Sequence, residues 1–266
     1  MHSYLSPAKL NLFFRVLHKR LDGYHEIVSL FQAIDLCDRL YFIPSRADRI
    51  TCTDSTIPVD EKNLVVRALA CFRAHFPMPA ISIHIEKKIP IQGGFGGGSG
   101  NAATTLWALN ELSGQPATVE TLIALGASIG SDVPFFFSLG TAYCTGRGEI
   151  LEPFTLPSPL SGYLAKPHYG LSTVLVYKNL QVENLSKRDL LEVRYPSFFN
   201  DLETASFAIE PRLHILKEEL QRHFATVVMT GSGSAFFCLG GKPPIMEDVT
   251  FMPFTTLSRP SLERWY

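Results

Sequence analysis

The chain has 266 residues, of which 46% are hydrophobic and 18% charged, and its net charge is −1. That is enough chain for one large domain or two lobes around a sizeable core, and too apolar a composition for a disordered or fibrous protein. The charge balance excludes a global basic field, so no nucleic-acid partner is expected and any anion must be held by a local site.

Residues 9–17 alternate with the period of a strand: Leu10, Leu12, Phe14 and Val16 on one face, Lys9, Asn11, Phe13 and Arg15 on the other. Lys9 and Asn11 therefore point the same way, onto an ordinary exposed face or into a cleft. Asp22-Gly23 marks a turn. Tyr24 and His25, directly after it, read either as surface decoration or as a clamp for a flat ring. Two further strands are expected over 27–34 and 40–43. Asn63 precedes Leu64, Ala68, Leu69 and Phe72 at helical spacing; it is most simply an N-cap, with ligand binding the lesser reading.

The densest glycine run follows: Pro90-Ile91-Gln92-Gly93-Gly94-Phe95-Gly96-Gly97-Gly98-Ser99-Gly100-Asn101. An alternating strand segment with Ile81, Ile83 and Ile85 leads into it, and Ala102, Leu106, Leu109 and Leu112 continue it as a helix. A glycine loop at a helix N-terminus exposes backbone N–H groups and adds the positive end of the helix dipole, which suits a phosphate; the bland alternative is a linker or tight turn. Lys87 and Lys88 before the loop are solvated charge or meet anionic oxygens. The run lacks the Gly-Lys-Ser/Thr ending of a P-loop. Gly98-Ser99-Gly100-Asn101-Ala102-Ala103 fits the dinucleotide pattern G-x-G-x-x-A but is a decoy. The acidic residue near the required offset, Glu120, starts a helical segment over 118–128 instead of ending a strand.

Asp132, in Gly130-Ser131-Asp132-Val133-Pro134 and ahead of Phe135-Phe136-Phe137, has two even readings: a cap on a short turn, or a partly desolvated carboxylate suited to accepting a proton. Residues 141–144 read as a strand and 146–149 as a turn. The proline-rich stretch 153–159 is the candidate boundary between lobes. Beyond it, 163–165 and 173–177 are strand-like, with an irregular crossing over 167–173. Residues 200–203 open a helical region, and Leu213, Leu216, Leu220 and Phe224 form a helix stripe after Pro211. A strand over 226–229, the loop Thr230-Gly231-Ser232-Gly233-Ser234 and a strand over 235–239 follow; that loop is a plain glycine hairpin or a second phosphate-closing loop. From Gly240 on, the sequence carries no signal. Five scattered cysteines without a C-x-x-C pair argue against a disulfide framework or zinc centre. Lys9 and Arg15 interrupt any signal-type apolar run, and residues 133–139 are too short an apolar run to span a bilayer. A cytoplasmic protein without membrane contact is the expectation.

Three separated stretches together resemble the three motifs of the GHMP kinases: Pro7-Ala8-Lys9-Leu10-Asn11, the segment from Pro90 to Ser99, and Thr230-Gly231-Ser232-Gly233-Ser234. Asp22-Gly23-Tyr24-His25-Glu26, Asp132-Val133-Pro134-Phe135-Phe136, Gly146-Arg147-Gly148-Glu149 and Asn200-Asp201-Leu202-Glu203 are similar to the branch serving non-mevalonate isoprenoid synthesis. The resemblance implies an α+β, two-lobed GHMP kinase fold with the active site in the cleft between residues 1–152 and 153–266. It implies transfer of the γ-phosphoryl group of ATP, with Mg²⁺, to the 2-hydroxyl of a cytidine diphosphate-linked methylerythritol. Carried over by motif, Asp132 would be the general base and Lys9 its partner. Asn63 and the run Pro90, Ile91, Gln92, Gly93, Gly94, Phe95, Gly96, Gly97, Gly98, Ser99 and Gly100 would hold ATP. Asn11, Tyr24, His25, Lys87 and Thr173 would meet the acceptor. Gly100 stands where the family usually has serine, and Phe95 where it usually has leucine, a change of bulk expected beside the nucleotide. The competing readings are a mevalonate- or homoserine-type kinase and a non-catalytic nucleotide sensor of the same fold.

Overall fold

The computed structural model describes residues 1–185 and 195–266. Two long antiparallel strands, β1 (His2–Lys19) and β2 (His25–Pro44), form its spine. They are joined by β3 (Arg49–Cys52), β4 (Ile81–Glu86), β5 (Thr141–Thr145), β6 (Ile150–Pro153) and β8 (Phe199–Asn200) in one seven-stranded sheet ordered β3-β4-β2-β1-β8, with β5 on β2 and β6 on β5. A second, four-stranded sheet runs β11-β7-β10-β9, from β7 (Ser161–Pro167), β9 (Phe224–Met229), β10 (Phe236–Gly241) and β11 (Val249–Thr255).

The two strands expected over 27–34 and 40–43 are one. Opposite β1 the register steps from Ala8–Ile34 to Pro7–Cys37, so Asp35 and Leu36 leave the pairing and the strand resumes beyond them. A polar interruption in sequence is a bulge in the sheet.

Helices α1 (Leu64–His75), α2 (Gly97–Leu112) and α3 (Val119–Ile129) share one core with this sheet. Asn63 caps α1: its Oδ1 accepts from the Val65 amide at 2.9 Å. Helix α2 is buried almost all round from Gly100 to Asn110, which makes it a central helix rather than an amphipathic cover. The second sheet packs with α4 (Thr173–Lys178), α5 (Glu203–Ile209) and α6 (Arg212–Leu220). A third cluster, with Ala8, Leu10 and Phe95 from one side and Leu164, Val228 and Phe237 from the other, joins the two sheets.

Two expectations are corrected here. Residues 173–177 (Thr-Val-Leu-Val-Tyr) have strand composition, yet they form α4. Val176 points into the second core while Val174 and Leu175 face solvent, so packing overrides a weak propensity. Phe224 belongs to β9 and not to the α6 stripe, which ends at Leu220. The segment after Gly240 is also structured. It supplies β11 and then returns to the first core, where Trp265 stacks on Trp107 at 5.3 Å and donates to the Leu5 carbonyl at 2.7 Å. Among the described residues no helix is long and apolar enough to cross a membrane.

Candidate active site

One cleft of about 1020 Å³ gathers the three motifs. The glycine run forms its floor. Gly94 has φ +80° and Gly96 φ +67°, and a Cβ on Gly94 would lie 2.0 Å from the Thr230 carbonyl oxygen, so only glycine allows the two loops to approach this closely. The loops are then stitched by Ser234 N donating to the Gln92 carbonyl at 3.1 Å. Gly96 is the N-cap of α2 and has no side-chain capping bond, and the Gly100 amide makes the bond back to the Gly96 carbonyl at 2.9 Å. The amides of Gly97, Gly98 and Ser99 precede that bond and border the cleft, the arrangement of an anion site at a helix start. The dinucleotide decoy falls inside α2, and Glu120 lies in the first turn of α3.

Lys9 sits on β1 directly beneath this floor. Its amide donates to the Phe95 carbonyl at 2.9 Å and its Nζ donates to Asn11 Oδ1 at 2.7 Å. The same Nζ lies 3.5 Å from Asp132 Oδ2 and 4.9 Å from the Phe31 ring centre. Lys9 and Asn11 thus share a face, as the alternation predicts; Lys9 borders the cleft, and Asn11 is fully buried behind it. The Lys9 side chain is 4% exposed and that of Asp132 32%, so the ammonium supports the carboxylate from below while the carboxylate faces the opening. Asp132 rides on a turn between α3 and a short 3-10 helix, Pro134–Phe137, whose residues are all buried. The turn closes through Val133 N on the Gly130 carbonyl, and among the described residues no amide donates to the Asp132 carboxylate. The capping reading of Asp132 therefore has no hydrogen bond behind it.

On the opposite wall, the His25 ring stacks on Tyr177 at 5.2 Å. Tyr24 is 54% exposed, with the Arg147 guanidinium 4.9 Å from its ring centre. Thr173 Oγ1 and Ser232 Oγ hydrogen-bond at 2.7 Å. Burial, and then the charge of Lys19, hold the His25 pKa below its ordinary 6.5, so the stacked ring is neutral at pH 7. A native pKa below the unfolded one means that the unfolded chain takes up the proton more readily. His25 accordingly contributes stability that is present above pH 6.5 and lost as pH falls below 6.5 through its lowered native value. On acidification the urea midpoint of the wild type is expected to drop relative to that of His25→Phe, which keeps a ring but cannot titrate. A constant difference would remove His25 as the group responsible.

Lys87 is placed differently from a free cation. Its Nζ donates to Asp38 Oδ2 at 2.8 Å and Oδ1 at 3.1 Å and also to the Ile89 carbonyl, beside Gly97. It borders the cleft beside the glycine loop, held there by Asp38. Asn63 is engaged at both ends of its amide, as cap to Val65 and as donor to the Pro58 carbonyl at 2.7 Å; its neighbour Leu64 is the residue that borders the cleft. Two residues organise the site in ways the sequence does not reveal: Asp38 carries no signal, and Asn200 reads only as part of a motif that opens a helix. Asp38, fully buried, accepts from the Lys88 and Ile89 amides at 2.7 and 2.8 Å and from Asn101 Nδ2 at 3.0 Å. Asn200 donates to the Met229 and Gly231 carbonyls at 2.6 and 2.7 Å and so fixes the Thr230–Ser234 loop.

The family comparison agrees with this constellation. Residues 63–140 match the GHMP kinases N terminal domain. The 4-diphosphocytidyl-2-C-methyl-D-erythritol kinase of Protochlamydia amoebophila (strain UWE25) is 46% identical across 98% of this chain and 91% of its own length. The chain belongs to the 4-diphosphocytidyl-2-C-methyl-D-erythritol kinase family. The kinase of that name from Geobacillus sp. (strain WCH70) is 40% identical, covering 88% of this chain and 86% of its own. A crystal structure of a 4-(cytidine 5'-diphospho)-2C-methyl-D-erythritol kinase superposes with TM-score 0.79 at 31% identity, over 97% of this chain and 100% of that one. A mevalonate kinase, at TM-score 0.72 and 14% identity over 97% and 100% of the two chains, shares the fold. The GHMP kinase fold and an ATP-using phosphotransferase are thus established for this chain.

The two departures from the family pattern now have locations. Phe95 borders the cleft, with its ring buried in the cluster that joins the sheets and packed against Gly93 of the loop. At Gly100 a Cβ would meet the Pro7 carbonyl oxygen at 2.7 Å and Ser6 Oγ at 3.2 Å, so in this kinase α2 and β1 approach too closely for a side chain at that position.

Proposed function

We propose that this kinase transfers the γ-phosphoryl group of ATP to the 2-hydroxyl of 4-diphosphocytidyl-2-C-methyl-D-erythritol. The Lys9–Asp132 pair carries the reading: it lies between a glycine floor fit for phosphates and an aromatic wall fit for a pyrimidine. Asp132 accepts the proton of the hydroxyl as it attacks. Lys9 pairs with that carboxylate and offsets charge on the group in transit, while Asn11 fixes the direction of its Nζ. The amides of Gly97, Gly98 and Ser99 hold the phosphates. This division suits phosphoryl transfer, in which positioning and electrostatics dominate. Tyr24 and His25 take the cytosine ring, with Thr173 at the same wall. Asn63 and Lys87 act behind the nucleotide loop through the cap of α1 and the tie to Asp38.

The donors fit Mg²⁺, a hard ion held through phosphate oxygens and one or two protein oxygens. The Ser99 hydroxyl borders the cleft beside the glycine loop and would hold it together with phosphate oxygens. Bound there, it would neutralise phosphate charge. The two lobes of the reading are residues 1–152 and 153–266, and its compartment is the cytoplasm.

The deciding experiment compares acceptors. With Mg-ATP, ADP release is expected with 4-diphosphocytidyl-2-C-methyl-D-erythritol and not with mevalonate or homoserine. The reverse pattern assigns another small-molecule kinase, and nucleotide binding without turnover on any acceptor assigns a sensor.

A further inference from the structure

Residues 168–172 cross from β7 to α4 without regular structure, yet Leu171 and Ser172 border the cleft. Lys166, near the end of β7, is 8% exposed. Its Nζ donates to the Pro167 carbonyl at 2.5 Å and to the Tyr169 carbonyl at 2.8 Å. Among the described residues no carboxylate forms an ion pair with it, and burial alone pulls its pKa down. A buried ammonium without a counter-charge is costly, so its hydrogen bonds must be what the site uses. Its stem lies against the glycine run: the Lys166 Cδ is 3.3 Å from where a Cβ on Gly93 would stand.

The Tyr169 carbonyl also accepts from Ser234 Oγ at 2.6 Å, and Ser234 N in turn donates to the Gln92 carbonyl. A Cβ on Gly170 would lie 2.2 Å from Gln92 Oε1, so the crossing lies flat on the glycine run. Lys166 of β7 and Ser234 of the Thr230–Ser234 loop thus meet at the Tyr169 carbonyl, and Ser234 links it onward to the glycine run. Helix α4 starts immediately afterwards and carries Tyr177, the ring on which His25 stacks.

We propose that Lys166 is a positioning residue, which ties the 168–172 crossing to the glycine run and thereby sets α4 as the wall of the acceptor site. The inference rests on the acceptor assignment above. Lys166→Met keeps the apolar stem and deletes the donors. Its KM for the cytidyl acceptor is expected to rise about tenfold, the size of a lost charge-assisted hydrogen bond, with kcat and the KM for ATP changed less than about threefold. Lys166→Arg, which restores donors, is expected to recover most of the loss. Hydrogen exchange of the full-length protein is expected to quicken over 167–178 and not over 97–112. Unchanged kinetics, an equal rise in both KM values, or exchange that quickens over both segments alike overturns the proposal. Wild-type turnover is the separate control. If the wild type fails on the cytidyl acceptor, the functional reading fails, and the exchange comparison still decides whether Lys166 fixes the crossing.

Discussion

Replacing Asp132 by asparagine is expected to lower kcat by about 10²–10⁴-fold, the range of lost general-base assistance, while ATP affinity stays near its wild-type value. Asparagine keeps the shape but cannot take the proton. Two observations set apart the chemical and structural roles of Asp132. Its carboxylate receives no backbone amide among the described residues, and the turn that bears it is anchored independently by Val133 and three buried phenylalanines. The fold should therefore tolerate the change. Single-turnover measurement with saturating ATP, beside nucleotide titration, checks both halves. A collapse of ATP binding with kcat preserved would reassign Asp132 to structure.

The largest effect on stability is expected at Asp38. Asp38→Ala should cost about 3–5 kcal/mol, because it leaves the Lys87 ammonium buried without a counter-charge. It also strips partners from the Lys88 and Ile89 amides and from Asn101. Burial already lowers the Lys87 pKa, with Asp38 acting against it, so Lys87 would shed its proton more readily once Asp38 is gone. Urea unfolding reports the loss directly. The double variant Asp38→Ala/Lys87→Met should recover part of it, since the orphaned charge is removed with its partner. A loss below about 1 kcal/mol for the single variant would show that the cluster relaxes and carries little of the loop's stability.

Much of this site was legible because its chemistry is local in sequence. The glycine run lies between a strand and a helix with clear periods, and Lys9 and Asn11 share a face by alternation alone. The supports were not legible, because they are made by residues far apart. Asp38 joins residues 49–63 positions away. In the sequence it is one acidic residue in a polar interruption of a strand. Lys166 looks like an ordinary basic residue at a strand end until its burial is seen. For 173–177 the composition favours a strand, and only the second core decides for a helix. For 200–203 the helical signal was correct, but it concealed the part that Asn200 plays in the Thr230–Ser234 loop.

The seam between Trp107 and Trp265 also has an optical consequence. The chain contains two tryptophans, and both stand in that one stack, with the Arg259 guanidinium 4.9 Å and 5.0 Å from their ring centres. Trp107 lies on α2, the helix whose first turn borders the cleft. Intrinsic indole emission from this kinase is therefore a local gauge of how the segment around Trp265 sits on the phosphate-loop helix. A shift in that emission on adding nucleotide would report movement at the far end of α2, without an extrinsic label.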